Sequence, residues 1–149
     1  MELKIKAVSP KLGGELPLPY YASPGAAAMD LHACLDEPLT LSPGALVSIP
    51  TGLAIALPSA AYMALVFARS GLGVKHGIAL SNGVGVIDSD YRGEIRVGLT
   101  NLSHVPYTVR PGDRIAQLAV VPVVQARLVP VEDLDETARG TGGFGSTGL

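Results

Sequence analysis

ALVSIPTGLAIALPSAAYMALVFA, residues 45–68, contains no charged side chain. The run is long enough to cross a bilayer as a helix, which takes about 20 apolar residues. Pro50, Gly52 and Pro58 argue against that reading. They cut the run into strand-length pieces, because proline and glycine interrupt regular structure and mark turns. The pieces at 46–50, 53–57 and 62–68 read as buried strands, and the fold class follows from them.

The same rhythm extends toward the N-terminus. LTL (39–41) is a strand, closed by the turn residues Ser42, Pro43 and Gly44. LKIKAV (3–8) alternates apolar and charged residues, which predicts a half-exposed strand. Residues 10–21 carry Gly13, Gly14, Pro17 and Pro19 and read as an extended connection. AAAMDLHACL (26–35) is rich in alanine, but it is short and lies between a Pro-Gly turn and Glu37-Pro38, so a strand is expected. Asp30 stands there as a lone acid among small apolar residues. A buried acid must be paired or must serve a cation. Accepting amides from the neighbouring turn is the plainer use.

Toward the C-terminus, RSGLGVKHG (69–77) breaks the rhythm and predicts one short helix, with Ser70 as N-cap and Gly77 as the stop. Arg69, Ser70 and the free amides of a helix start suit an anion; a capped turn whose arginine pairs with a surface acid is the plainer alternative. NGVGVIDSDYRGE (82–94) reads as a β-hairpin. Val84, Val86 and Ile87 favour a strand, Ser89, Asp90 and Gly93 favour a turn, and a strand resumes after Glu94. Gly85 within the strand suggests close approach of a backbone or ligand. Asp88 at the strand's end and Tyr91 in the turn could frame a slot for a planar ligand beside an acid, although Asp, Ser and Gly occur in any hairpin. Strands follow at 96–101 and 107–109, then the tight turn Pro111-Gly112-Asp113. RIAQLAVVPVV (114–124) is a nearly continuous apolar strand. In a regular strand a separation of three puts Arg114 and Gln117 on opposite faces. Gln117 would then face a ligand while Arg114 pairs within the protein.

VEDLDE (131–136) is acidic, and RGTGGFGSTGL (139–149) cannot build a core. The chain therefore divides into a β-rich catalytic body (1–131), an acidic linker (132–138) and a Gly-rich arm (139–149). The arm suits a lid over a nucleotide, or it is a tail without a role. It is no P-loop, since the lysine that should follow the last glycine is absent.

At 149 residues the chain is one ordinary domain. A net charge of −2 gives no electrostatic case for binding nucleic acid or an anionic membrane. Cys34 is the single cysteine, and residues 1–7 form no signal or transit pattern, so a cytoplasmic location is expected. His32, His76 and His104 lack metal-ligand spacing, which makes a zinc site an unlikely expectation. Short strands between Pro/Gly turns indicate an all-β sandwich or jelly-roll-like fold.

Five stretches in order, AAMDLHA, RSGLGVKHG, NGVGVIDSDYRGE, PGDRIAQ and RGTGGFGSTG, resemble the homotrimeric dUTPases across nearly the whole chain. The resemblance implies a jelly-roll-like (β-clip) trimer with one short helix, a flexible C-terminal arm and three sites at subunit interfaces. It implies Mg²⁺-dependent hydrolysis of dUTP to dUMP and pyrophosphate, which limits uracil in DNA and supplies dUMP. By position Asp88 would be the base that activates water. Asn82 and the backbone around Val86 and Ile87 would hold the uracil edge, and Tyr91 would exclude a 2′-hydroxyl. Arg69, Ser70, Gly71 and Gln117 would contact phosphates, and Asp30 would order the water shell of the metal. In the arm, Phe144 with Gly145 would cover the uracil, while Arg139, Ser146 and Thr147 reach the phosphates. Arg96, at a position that varies in the family, is carried over as a substrate contact. The alternatives are a dCTP deaminase-like enzyme, whose glutamate would fall where Gly98 stands, and a non-catalytic nucleotide-binding protein on the same scaffold.

Overall fold

The structure, a computed structural model, describes residues 1–143. Eleven strands and one helix run in the order β1 (Lys4–Ala7), β2 (Met29–His32), β3 (Leu39–Leu41), β4 (Leu46–Pro50), β5 (Leu53–Ala56) and β6 (Tyr62–Ala68), then α1 (Ser70–His76). β7 (Ile78–Leu80), β8 (Gly85–Ile87), β9 (Arg96–Asn101), β10 (Tyr107–Val109) and β11 (Arg114–Pro122) follow. The long uncharged run is three strands, β4 to β6, as its prolines and Gly52 require. No helix among the described residues is long and apolar enough to cross a membrane.

Two sheets enclose most of the core. One has four strands in the order β2-β11-β6-β8, and the other three in the order β4-β9-β7; β1-β5 and β10-β3 pair as ribbons. Every named pair is antiparallel. Register decides which side chains are buried, because directly opposed residues share a face. In the larger sheet Leu31, Ala64, Val66, Ile87, Ala116 and Leu118 fall on one face and are buried. In the smaller, Ile49, Val97, Leu99, Ile78 and Leu80 do the same. All belong to one hydrophobic cluster.

Three expectations about the strands and their connections change. The first strand is exposed on both faces, with Ile5 43% accessible. It is an edge strand paired to β5 alone, and its lysines suit such an edge. Residues 10–21 are not simply extended: Leu12 and Leu16 bridge to each other and are buried. Most important, residues 82–94 do not form a hairpin ladder. β8 pairs with β6, whereas β9 pairs with β4 and β7 in the other sheet.

The short helix ends as expected, with Gly77 left-handed (φ 67°) and its N–H donating to the Gly73 carbonyl. It does not begin as expected. Arg69, with extended backbone, occupies the cap position, and Ser70 is already helical. The C-terminal end is docked on the 101–105 turn, where the Leu102 N–H donates to the Gly77 carbonyl at 2.8 Å. Asn101, fully buried, organises that turn. Its Nδ2 donates to the Leu41 and Val105 carbonyls at 2.9 and 2.8 Å, and its Oδ1 accepts from the Ser103 N–H and hydroxyl at 2.9 and 2.7 Å.

Removing the amide orphans buried groups, each costing about 1–3 kcal/mol. Asn101→Ala should therefore destabilise the protein by at least about 1–3 kcal/mol. Urea unfolding at fixed subunit concentration measures this, and a wild-type midpoint would refute it.

Candidate active site

The splay of β8 and β9 into different sheets leaves a slot between them. It encloses about 270 Å³. Val66, Leu80, Ile87, Ile95 and Val97 supply apolar walls, while Asn82, Asp88, Tyr91, Glu94 and Arg96 supply polar groups. Of the residues expected from sequence, Asn82, Val86, Ile87, Asp88, Tyr91 and Arg96 thus meet in one cavity. Gly85 also lines it, but the close approach that requires a glycine is to protein: an added Cβ would lie 3.0 Å from Val66 Cβ.

The turn bearing Asp88 is tied down locally. The Tyr91 N–H donates to the Asp88 carbonyl at 3.2 Å, and Arg92 Nη1 donates to the carbonyls of Ser89 and Tyr91, both at 2.8 Å. Asp88 itself is exposed and can meet water directly. Arg96 spends donors within the protein, on the Ser48 hydroxyl and carbonyl at 3.1 and 2.9 Å and on Glu94 at 3.3 Å. Gly98 lines the same slot, and a Cβ there would stand 2.5 Å from Ser81 Oγ. Any side chain at that position would have to displace Ser81.

A second cluster forms elsewhere. Asp30 is 6% exposed, and each carboxylate oxygen accepts from an arginine: Oδ1 from Arg69 Nε at 3.0 Å and Oδ2 from Arg114 Nη1 at 3.1 Å. Arg69 Nη1 also donates to the Arg114 carbonyl at 3.3 Å. Gln117 sits directly across the ladder from Asp30. The expected opposition of Arg114 and Gln117 fails because β11 is irregular. Its register against β2 shifts between Arg114 and Ala116, so Arg114 pairs with His32 and Gln117 with Asp30. The extra residue resets the alternation, and Arg114, Gln117, Asp30 and His32 share one face. Arg114 does pair within the protein, as expected, but with the acid of the site.

That face is opposite to the one bearing Val66, Gly85 and Ile87, while Val86, also on the slot's lining, shares it with Asp30. Asp30 lies on β2 and the slot beside β8, the two edges of the same four-stranded sheet. Three strand spacings amount to about 14 Å. Neither Arg69, Ser70, Gly71, Gln117 nor Asp30 lines the slot. Arg139 lies in an exposed turn, its Nε donating to the Gly142 carbonyl at 2.8 Å. Phe144, Gly145, Ser146 and Thr147 lie outside the described residues.

The spacing of His32 in the sequence points to no role for it, and the structure places it in the acid–arginine cluster. Burial pushes its pKa below the ordinary value; Asp30 opposes the shift, while Arg114 and Arg69 reinforce it. No group of three or more His, Cys, Asp or Glu able to hold a metal occurs among the described residues. Asp30 retains acceptor capacity beyond its two arginines, since a carboxylate offers about four lone-pair sites. The donor set fits a magnesium ion that keeps its waters and arrives on phosphate oxygens, not one caged by the protein.

Residues 14–148 match the dUTPase family. The deoxyuridine 5′-triphosphate nucleotidohydrolase of Ectopseudomonas mendocina is 54% identical over 146 residues, covering 98% of this chain and 97% of its own. The enzyme of that name from Desulfitobacterium hafniense is 60% identical over 132 residues, covering 89% and 87%. Among solved structures, the Staphylococcus bacteriophage 80alpha dUTPase with dUPNHPP is similar with a TM-score of 0.86 at 25% identity, over 99% of both chains. A dUTPase from phage phi11 of S. aureus, whose structure details coordination of a structural Mg(II) ion, has a TM-score of 0.77 at 22% identity, over 89% of this chain and 98% of that one.

The His32 shift carries a pH dependence. A histidine whose folded pKa lies below its unfolded value of 6.5 costs nothing while both states are neutral. Below 6.5 the unfolded chain takes up the proton first, so stability falls as pH drops toward the folded pKa. Between pH 7.5 and 5, wild type should lose more stability than His32→Gln in parallel urea titrations. Equal losses would refute the assignment.

Proposed function

The chain belongs to the dUTPase family, and from that premise we propose that it hydrolyses dUTP to dUMP and pyrophosphate with Asp88 as the base. The observation that carries this reading is the slot between β8 and β9, whose lining sets the apolar side chains of Val66, Leu80, Ile87, Ile95 and Val97 beside Asn82, Asp88 and Tyr91. Uracil is planar and presents an edge of alternating donors and acceptors. The Asn82 amide and the backbone around Val86 and Ile87 can match that edge. Tyr91 lies on the slot's lining, and its ring would meet a 2′-hydroxyl there.

Asp88 is positioned to accept a proton from water as the water attacks phosphorus. The triphosphate's charge must be neutralised along its length, which calls for preorganised donors. Arg69, Ser70, Gly71 and Gln117 supply them. Arg69 uses Nε and Nη1 inside the protein and keeps Nη2 for a phosphate oxygen. Mg²⁺, when bound, would supply charge neutralisation and Lewis acidity, and Asp30 is the residue that would help hold it, through its water shell. By the family resemblance the arm would bring Arg139, Ser146 and Thr147 to the phosphates, and Phe144 with Gly145 to the base. Gly98 lines the slot where a deaminase would need its glutamate, which disfavours that alternative.

The same geometry supports a trimer with shared sites. In one chain the slot lies at the β8 edge of the four-stranded sheet and the acid–arginine cluster at its β2 edge, so two copies would let one ligand meet both. The face bearing Asp30 and Gln117 also presents Met63, Leu65, Phe67, Val86, Ala119 and Val121, none of them buried. A half-polar, half-apolar sheet face of this kind suits a subunit interface. Beyond β11, residues 123–143 form neither helix nor strand, which suits an arm that reaches another copy.

Incubation with dUTP, dTTP, dCTP and UTP should give Mg²⁺-dependent pyrophosphate from dUTP alone, with no ammonia. Asp88→Asn should lower kcat by roughly 10²–10⁴-fold with a smaller change in binding. Equal turnover of UTP, or near-wild-type kcat in the variant, would overturn the assignment. Shared sites predict complementation. Asp88→Asn chains and chains truncated after residue 138 should each be nearly inactive. Mixed trimers purified through two tags should recover activity well above either, and no recovery would place the arm over its own subunit's base.

A further inference from the structure

The wall that carries Tyr91 is held by a carboxylate that the chemistry above does not use. We propose that Glu94 is a positioning residue for sugar selection, fixing Tyr91 against the rigid β4–β5 turn. This rests on the reading of Tyr91 as the ring that meets a 2′-hydroxyl.

Tyr91 is 46% exposed, so core packing does not fix its ring. Two backbone features do. The ring's hydroxyl end lies across Gly93, where an added Cβ would overlap it, and the hydroxyl donates to the Glu94 carbonyl at 3.0 Å. The ring is therefore only as rigid as residues 93–94. That segment precedes β9, which begins at Arg96, and has no ladder of its own.

The Glu94 side chain compensates. Its Oε1 accepts the Gly52 N–H at 2.8 Å, and its Oε2 accepts Arg96 Nη1 at 3.3 Å. The Gly52 turn can serve as an anchor because it has little freedom. Gly52 is left-handed (φ +69°), with space for an added Cβ already filled by Ser9 Cβ at 3.0 Å and Cys34 Sγ at 3.1 Å. Its carbonyl accepts from the Val8 N–H at 2.8 Å. One residue on either side completes the clamp. Buried Thr51 donates its hydroxyl to the Ile95 carbonyl at 2.6 Å, and the Ile95 N–H donates to the Leu53 carbonyl at 2.7 Å. The exposed pair with Arg96 is worth little on its own. The partly buried, charge-assisted bond to the Gly52 amide is the stronger tie.

Rejecting a hydroxyl by shape requires a wall that does not yield, and misplacement by about 1 Å is enough to change rates greatly. The test is kcat and KM for dUTP and UTP with full-length protein. Glu94→Ala should lower the dUTP-to-UTP ratio of kcat/KM by about three- to tenfold, the loss expected when one such hydrogen bond no longer holds the wall. The change should come mainly from improved use of UTP, with kcat on dUTP moving less. Glu94→Gln keeps an acceptor for Gly52 and should keep the ratio. Thr51→Val, which removes the neighbouring tie at constant shape, should lower it in the same direction, and it serves as the test if Glu94→Ala does not fold. A wild-type ratio in Glu94→Ala, or in Thr51→Val where that variant substitutes, overturns the proposal while a collapsed ratio in Tyr91→Ala leaves the Tyr91 reading standing. A wild-type ratio in Tyr91→Ala removes that reading and the proposal with it.

Discussion

The backbone between Asn82 and Arg96 has to satisfy two sheets at once. β8 spends its ladder bonds on β6, and β9 spends its own on β4 and β7. β9 is paired along both edges and has none left for β8, an edge strand of the other sheet, so the two arms cannot also pair with each other. They diverge, and the divergence is the slot. Its apolar walls are core residues seen from their open side: Val66, Ile87 and Val97 line it and also belong to the hydrophobic cluster. The site is rigid because loosening it would disturb the core.

The second constraint is electrostatic. A carboxylate as buried as Asp30 is costly unless fully paired, and two arginines supply the pairing. Those arginines come from the ends of β6 and β11, so the ion cluster also fixes where the helix start lies relative to the ladder. The acid orients the arginines; the arginines keep donors for an anion. A surface acid paired with Arg69 would leave that guanidinium free to wander, whereas a buried one preorganises it.

The two clusters lie at opposite edges of one four-stranded sheet, and under the proposed function that separation would make oligomerisation part of the chemistry. On that reading the slot by itself would lack the phosphate donors, and the cluster by itself would lack the base. The unburied apolar residues beside Asp30 and Gln117 give the same face a reason to be covered.

Much of this was legible in the chain itself. Pro50, Gly52 and Pro58 determine the strands of the uncharged run, Gly77 determines where the helix stops, and the closeness of Asn82, Asp88 and Tyr91 follows from their spacing. These are local effects of backbone geometry, which a sequence records directly. The hairpin reading failed because pairing partners are chosen by burial over the whole molecule, and alternation alone does not reveal which neighbour a strand will meet. Arg114 and Gln117 were assigned opposite faces because a bulge exists only relative to a partner strand. Ser70 lost the cap position to Arg69, whose side chain is drawn to an acid 39 residues earlier in the chain. The sequence determined which segments are strands and which side chains carry chemistry. Only tertiary packing decided that β8 and β9 part, that Asp30 is held by two arginines, and that the slot and the Asp30 cluster stand at opposite edges of one sheet, because each of these depends on contacts between residues far apart in the chain.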